Sequence, residues 1–276
     1  MRARFHVVVL GCGLAFSPRE NHLYGAQPSV RLIMQASGAT EVPEPRMILM
    51  SSGFHSAAKL QAYHSLLDSG IGDHLAYIPT AALCPNRTSD RPLGQQRRKL
   101  RYEARRKCDE IATRLGVRAE LLDLADYAIS LQESSDAVPV SGTTAHSSGG
   151  GESGASAGKS KSSGSSRSEK GQTALFRALY GAHSIYVDGG NTFYLQHFIR
   201  RTGFAAAIDE LVRRRGAVYI GVSAGAIVAG RSASTALWKG WDDPAVVDDD
   251  WTAAEALDGL DLAGGRSFFP HYEVSA

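Results

Sequence analysis

The sequence predicts an α/β protein in which a mostly parallel sheet is covered by helices on both faces. Three observations support this prediction. Short apolar runs alternate with segments of helical spacing from residue 46 onward. Several of these runs are apolar throughout, which is typical of parallel strands buried on both faces. Most runs end in small or turn-forming residues, which indicates loops at the carboxyl ends of the strands, where functional groups gather.

The first half of this region contains the predicted strands "MILM", "HLAYIPTAAL" and "AELLDLADYAI". Between the second and third, residues 95 to 115 predict a helix with apolar positions every three or four residues and Gly116 as its cap. The other face of this helix is basic. We favour a solvated face over an anion-binding patch because the sequence contains no nucleic-acid-binding motif. The basic residues are Arg97, Arg98, Lys99, Arg101, Arg105, Arg106 and Lys107.

The composition changes abruptly between about residues 133 and 171, where Ser, Gly, Ala and Lys dominate. Such a segment cannot bury enough apolar surface to offset its ordering entropy. We therefore expect a disordered, dispensable insertion that limited proteolysis cuts first. Residues 1–45 show no sustained period and are interpreted as an N-terminal extension, which leaves residues 46–276 as one domain.

Strands and helices resume after the insertion. A predicted strand at Ser184–Val187 leads into "DGGN", and a helix is expected from Thr192 to Arg215. "AVYIGV" is the next predicted strand, with a helix from Ala224 to Gly230.

The overall composition excludes several classes of partner. The 276 residues carry a net charge of +2, so neither a nucleic acid nor a membrane is expected as a partner. No apolar run reaches the roughly 18 residues that span a bilayer. The three cysteines are widely spaced and form no Cys/His cluster, so no metal site is expected. We interpret them as reduced thiols of a cytoplasmic protein. No cofactor is expected. Arg2 and Arg4 precede an apolar run, a pattern that also fits an N-terminal targeting segment. We favour a first strand or a disordered extension over that alternative.

The candidate nucleophile is Ser223 in "GVSAG", a G-x-S-x-G pattern. A predicted strand precedes it and a predicted helix follows it, which is the context of a nucleophile elbow. Ser156 lies in the same pattern, "GASAG", but inside the low-complexity insertion. A structural turn with Ser223 as an N-cap is the alternative.

Two further features suit a serine hydrolase. The N–H groups of "DGGN" could stabilise an oxyanion, although a tight turn with Asn191 capping a helix explains the same residues. His271 in "SFFPHYE" follows a predicted strand and is the candidate base. Spacing cannot select the acid that would orient it, since triads are defined in space. The candidates are Asp242, Asp243, Asp248, Asp249, Asp250 and Glu273.

Together, "IYVDGGNTFYL", "GAVYIGVSAGAIVAG" and "FFPHYE" resemble the aspartyl dipeptidase (peptidase E) family of serine peptidases, with cyanophycinase more distant. The resemblance covers about residues 46–130 and 173–273. It implies a class I glutamine amidotransferase-like three-layer sandwich and hydrolysis of short peptides with N-terminal aspartate. By motif it implies Ser223 as nucleophile, His271 as base, the N–H groups of Gly190 and Ala224 as oxyanion hole, and Asp242 as the acid.

The sequence departs from the family at three places. Asp188 stands where a third glycine is frequent, and Val222 where tryptophan is frequent. The chain also ends five residues after His271, whereas relatives continue, so the resemblance implies a fold truncated at its C-terminus and an impaired catalyst.

Three functional hypotheses follow from these observations. The first is a serine-type aspartyl dipeptidase that takes a small peptide as its substrate and could form a homo-oligomer. The second is a non-catalytic remnant or binding protein of the same fold. The third is a cyanophycinase-like isopeptide hydrolase acting on aspartate-linked polymers.

Overall fold

The structure is a computed structural model that describes the backbone of residues 6–10, 13–17, 22–25, 30–33, 45–66, 72–132, 174–253 and 255–271. Side chains are described from residue 45 to 271 within these ranges, apart from 129–132 and Lys239. The predicted insertion at 133–171 lies outside the described residues, as do parts of residues 1–45. The division into an extension and one domain therefore stays a prediction.

Ten strands are described. They are β1 (His6–Leu10), β2 (Gly13–Ser17), β3 (His22–Gly25), β4 (Val30–Ile33), β5 (Arg46–Met50), β6 (His74–Ile78), β7 (Arg118–Leu121), β8 (Ser184–Val187), β9 (Val218–Val222) and β10 (Ser267–Pro270).

The α-helices within the described residues alternate with the later strands. They are α1 (Ala57–Leu66), α2 (Leu93–Leu115), α3 (Leu124–Gln132), α4 (174–179), α5 (Thr192–Thr202), α6 (Phe204–Ile208), α7 (Ala224–Val228) and α8 (Ala236–Lys239). Short 3₁₀ turns occur at Thr80–Leu83, Ala233–Thr235 and Pro244–Val246, and a π-helical stretch at Asp209–Arg214.

A mostly parallel sheet organises the molecule, with strand order β4-β1-β5-β9-β8-β6-β7. Only the β1–β4 pair within it is antiparallel. A second, antiparallel sheet has the order β10-β2-β3 and pairs β2 with the strand that leads to His271. The central strands β5, β9 and β8 place their carboxyl ends side by side, which brings their loops to one edge.

Helices cover both faces of the parallel sheet, so the structure has three layers. Alternate residues of β5 show this directly: Met47 and Leu49 pack with α5, α6 and α7, whereas Ile48 and Met50 pack with α1 and α2. All four side chains are at most 1% exposed. The predicted α/β class with a mostly parallel, doubly covered sheet is therefore confirmed.

Two element predictions are wrong in part. The expected strand "AELLDLADYAI" ends at Leu121 and becomes α3, because Asp123 accepts a hydrogen bond from the Ala125 N–H (3.1 Å) and starts a helix. The expected helix from Thr192 to Arg215 is broken at Gly203, whose φ of 72° interrupts the helical backbone. Helix α2 and its left-handed cap at Gly116 are confirmed.

Gly225 is required by close packing. A Cβ there would lie 2.1 Å from the carbonyl oxygen of Val187 in β8, which has no room to move inside the sheet. We expect Gly225→Ala to lower the free energy of unfolding by about 3 kcal/mol, the upper end for overpacking. Denaturant unfolding measures it. Gly94→Ala is the control, since its Cβ would meet nothing within 4 Å in α2 and should leave stability equal or slightly higher. Equal stability of both variants would contradict the close contact.

Within the described residues, no helix is both long and apolar enough to cross a membrane.

Candidate active site

Ser223 occupies the sharp turn between β9 and α7. Its backbone has φ 48° and ψ −105°, a combination that non-glycine residues rarely adopt. The turn is held because the Ser223 N–H donates to the carbonyl oxygen of Met50 in β5 (2.8 Å). The Ser223 side chain is partly exposed, whereas the neighbouring Val222 and Ala224 are buried. The hydroxyl is therefore presented at the carboxyl edge of the sheet.

The flanking glycines allow this turn to form. A Cβ on Gly221 would lie 2.6 Å from the carbonyl oxygen of Gly225, across the turn. That same carbonyl accepts a hydrogen bond from the buried Tyr219 hydroxyl (2.8 Å). Larger residues at either glycine would push α7 away from the sheet. The expected strand–turn–helix context of "GVSAG" is thus present.

His271 lies against Ser223, directly after β10. Its Nε2 is 3.1 Å from the Ser223 Oγ, within hydrogen-bond distance. The backbone of His271 is left-handed, with φ 62°, and its N–H donates to the Ser51 Oγ (3.1 Å) in the loop after β5. The Trp241 ring packs edge-on against the imidazole, with ring centroids 5.9 Å apart. Backbone and ring are therefore both held in place.

The "DGGN" loop lies beside the serine at the end of β8. A Cβ on Gly189 would lie 3.1 Å from the Ser223 Cβ, so the loop backbone closely approaches the serine. Gly190 has φ 139°, and a Cβ there would lie 2.2 Å from the carbonyl oxygen of Ala81. Asn191 caps α5, since its Oδ1 accepts from the Tyr194 N–H (2.8 Å). Capping and a close approach to Ser223 therefore occur together in one loop.

Asp242 lies at the start of α5. Its Oδ2 accepts hydrogen bonds from the Thr192 hydroxyl (2.5 Å) and the Thr192 N–H (3.1 Å). A carboxylate suits this place because the helix N-terminus carries partial positive charge. Its assignment as the acid that orients His271 stays a prediction.

The sequence comparisons connect this geometry to known proteins. Residues 159–275 match the sequence model of peptidase family S51, which spans Ser223 and His271. A probable alpha-aspartyl dipeptidase of Drosophila melanogaster is 46% identical over 59 residues, which are 21% of this chain and 25% of that protein. An uncharacterized peptidase of Pasteurella multocida (strain Pm70) is 38% identical over 74 residues, 27% of this chain and 35% of that protein.

The matched part of the chain is therefore similar to peptidase family S51. The matched segments span only a quarter to about a third of the two curated relatives. A solved structure, a putative peptidase E protein from Listeria monocytogenes EGD-e, is similar with a TM-score of 0.41 and 20% identity, covering 74% of this chain and 70% of that one.

Sequence reasoning missed two residues that shape this site, Ser51 and Lys59. Ser51 accepts the His271 N–H, and Lys59 secures the loop that carries Ser51. The Lys59 Nζ donates to the carbonyl oxygens of Ser52 (2.8 Å) and Gly53 (3.0 Å). Burial lowers the pKa of Lys59 below its usual value. Only the position of "SSG" at the end of a predicted strand could have pointed to this loop.

A cavity of about 660 Å³ lies away from these residues, lined by α2, α3 and α5. Three arginines reach it, but two are neutralised: Arg101 pairs with Asp126 and Arg201 with Asp249 (2.6 Å). Neither Ser223 nor His271 lines it. Among the described residues, no group of three His, Cys, Asp or Glu side chains could hold a metal ion.

Proposed function

We propose that the chain is a serine-type peptidase that hydrolyses short peptides with an N-terminal aspartate. The observation that carries the proposal is the 3.1 Å contact between the Ser223 Oγ and the His271 Nε2. A serine hydroxyl is a weak nucleophile unless an adjacent base accepts its proton. Here the Ser223 hydroxyl stands on a strained turn, and a backbone hydrogen bond to Ser51 holds His271 beside it. Both features favour proton transfer from the serine to the imidazole.

The reaction follows the acyl-transfer scheme of serine hydrolases. The Ser223 Oγ attacks the peptide carbonyl carbon while His271 takes the hydroxyl proton. His271 then donates that proton to the leaving amine, and an acyl-enzyme remains on Ser223. Water, deprotonated by the same imidazole, releases the aspartate. Asp242 is the proposed acid that keeps the imidazole in the required tautomer.

The negative oxygen of the tetrahedral intermediate needs donors. The N–H of Ala224 is the first of α7, where no helical carbonyl is available to it. The N–H of Gly190 belongs to the loop that closely approaches Ser223. We assign both N–H groups to the oxyanion hole. Each such donor contributes about 10²–10³ in turnover in serine peptidases.

Aspartate specificity rests on the similarity to the Drosophila alpha-aspartyl dipeptidase. The test compares Asp-Leu and Asp-Ala with Ala-Leu and Glu-Leu, and with an aspartate polymer carrying arginine on its side chains. We expect free aspartate from the first two and at least ten-fold slower cleavage of the others. Faster release from the polymer would favour an isopeptide hydrolase, and no release from any substrate would contradict a peptidase.

A further inference from the structure

Asp188 is a fully buried carboxylate at the base of the "DGGN" loop, with 0% exposure. Three groups donate to it. The Tyr77 hydroxyl of β6 donates to Oδ2 at 2.6 Å, and the Gly189 N–H donates to Oδ1 at 2.8 Å. The Lys107 Nζ of α2 lies between the two oxygens, 2.8 Å from Oδ1 and 2.7 Å from Oδ2. A buried charge is tolerated only when it is paired and hydrogen-bonded in this way.

The contact with Lys107 changes the interpretation of the basic face of α2. The Lys107 side chain is 47% exposed, yet its ammonium contacts the buried carboxylate of Asp188. Burial and the neighbouring carboxylate raise the pKa of Tyr77 well above its usual range, which keeps the phenol as a donor. Tyr77 lies in β6, Lys107 in α2 and Asp188 directly after β8, so these contacts tie a helix to the ends of two strands of the sheet.

The loop needs such an anchor. Two consecutive glycines have more backbone freedom than any other pair, and Gly190 adopts a φ of 139°. On the far side, Asn191 is fixed, since its N–H donates to the carbonyl oxygen of Ala81 (3.0 Å). On the near side, the bond between Asp188 and the Gly189 N–H fixes the Asp188–Gly189 peptide unit, which directly precedes the unit that carries the Gly190 N–H. The carboxylate and the Asn191 bond therefore hold the loop on both sides of the Gly190 N–H.

We propose that Lys107 and Asp188, with Tyr77, are positioning residues that hold the Gly189–Gly190 loop against Ser223. This proposal rests on the proposed function, in which the Gly190 N–H stabilises the oxyanion. Lys107 contacts the Asp188 carboxylate. It acts by orienting the carboxylate, and the carboxylate in turn holds the loop. Displacement of a catalytic donor by about 1 Å lowers rate by about 10²-fold.

The test uses Lys107→Met, Lys107→Arg and Tyr77→Phe in the full chain. Lys99→Met is the matched control, because Lys99 lies on the same helix and pairs only with Glu103 at 3.6 Å among the described residues. Two rates are measured for each protein: hydrolysis of Asp-Leu, as kcat and KM, and covalent labelling of Ser223 by a fluorophosphonate. Thermal unfolding of each protein ensures that rates are compared only on folded chains.

We expect Lys107→Met to lower kcat and the labelling rate by about 10²-fold with KM nearly unchanged. Lys107→Arg should recover most of both rates, since a guanidinium also pairs with a carboxylate. Lys99→Met should match the parent chain. If Lys107→Met does not fold, Tyr77→Phe, which removes one donor and keeps the ring, should still lower both rates several-fold.

Two outcomes separate a failure of the positioning role from a failure of the proposed peptidase function. Normal labelling and kcat in folded Lys107→Met, or in Tyr77→Phe where the first does not fold, would overturn the positioning role and leave the proposed function standing. Absence of labelling and hydrolysis in the parent chain would overturn the proposed function and this role with it.

Discussion

Ser223→Ala is expected to lower hydrolysis of aspartyl dipeptides by about 10⁶-fold, the loss seen when the nucleophile of a serine peptidase is removed. The change deletes only the Oγ, which lies 3.1 Å from the His271 Nε2. Alanine fits the turn sterically, because its Cβ takes the place of the Ser223 Cβ. Binding of the peptide should persist, so the loss should appear in kcat.

The matched control is Ser156→Ala, which alters the second G-x-S-x-G pattern, "GASAG". It should leave kcat and fluorophosphonate labelling unchanged. Mass spectrometry of the labelled peptide identifies the modified serine directly. Labelling that survives Ser223→Ala, or that disappears in Ser156→Ala, would show that Ser223 is not the nucleophile.

His271→Gln is expected to produce a loss of similar size, about 10⁶-fold in kcat, because the nucleophile and its base act as one unit. Glutamine keeps a hydrogen-bonding side chain of comparable length but cannot take a proton. The backbone bond from the residue 271 N–H to Ser51 is independent of the side chain and should remain. His64→Gln, at an exposed position of α1, is the control and should retain full activity.

The double variant Ser223→Ala/His271→Gln provides a sharper measurement. If the two residues form one proton-transfer unit, the double variant should be no slower than either single variant. A further large, multiplicative loss would show that His271 acts separately from Ser223. Measurement of residual single-turnover rates at high enzyme concentration makes the comparison possible.

Much of the fold could be predicted from local pattern. The continuous apolar runs of β5, β8 and β9 predict strands, because these strands are buried on both faces. The apolar spacing of three to four residues predicts the helix α2, because that helix is buried on one face. The stretch after Leu121 could not, because its apolar residues fit either a strand or a helix. Asp123 decides it, and Asp123 itself accepts a hydrogen bond from the Thr80 hydroxyl (3.0 Å), which lies 43 residues away in the 3₁₀ turn at Thr80–Leu83.

The sequence by itself determined that Ser223 stands on a strained turn, since strand, glycine, serine, glycine and helix are neighbours in the chain. Only the tertiary structure decided which side chains meet it. His271 is 48 residues away, and Lys107 is 81 residues from the carboxylate it neutralises. The physical reason is that a nucleophile elbow is a local backbone geometry. A base and a buried ion pair are contacts in space, which exist only once the parallel sheet has brought the carboxyl ends of β5, β8 and β9 to one edge.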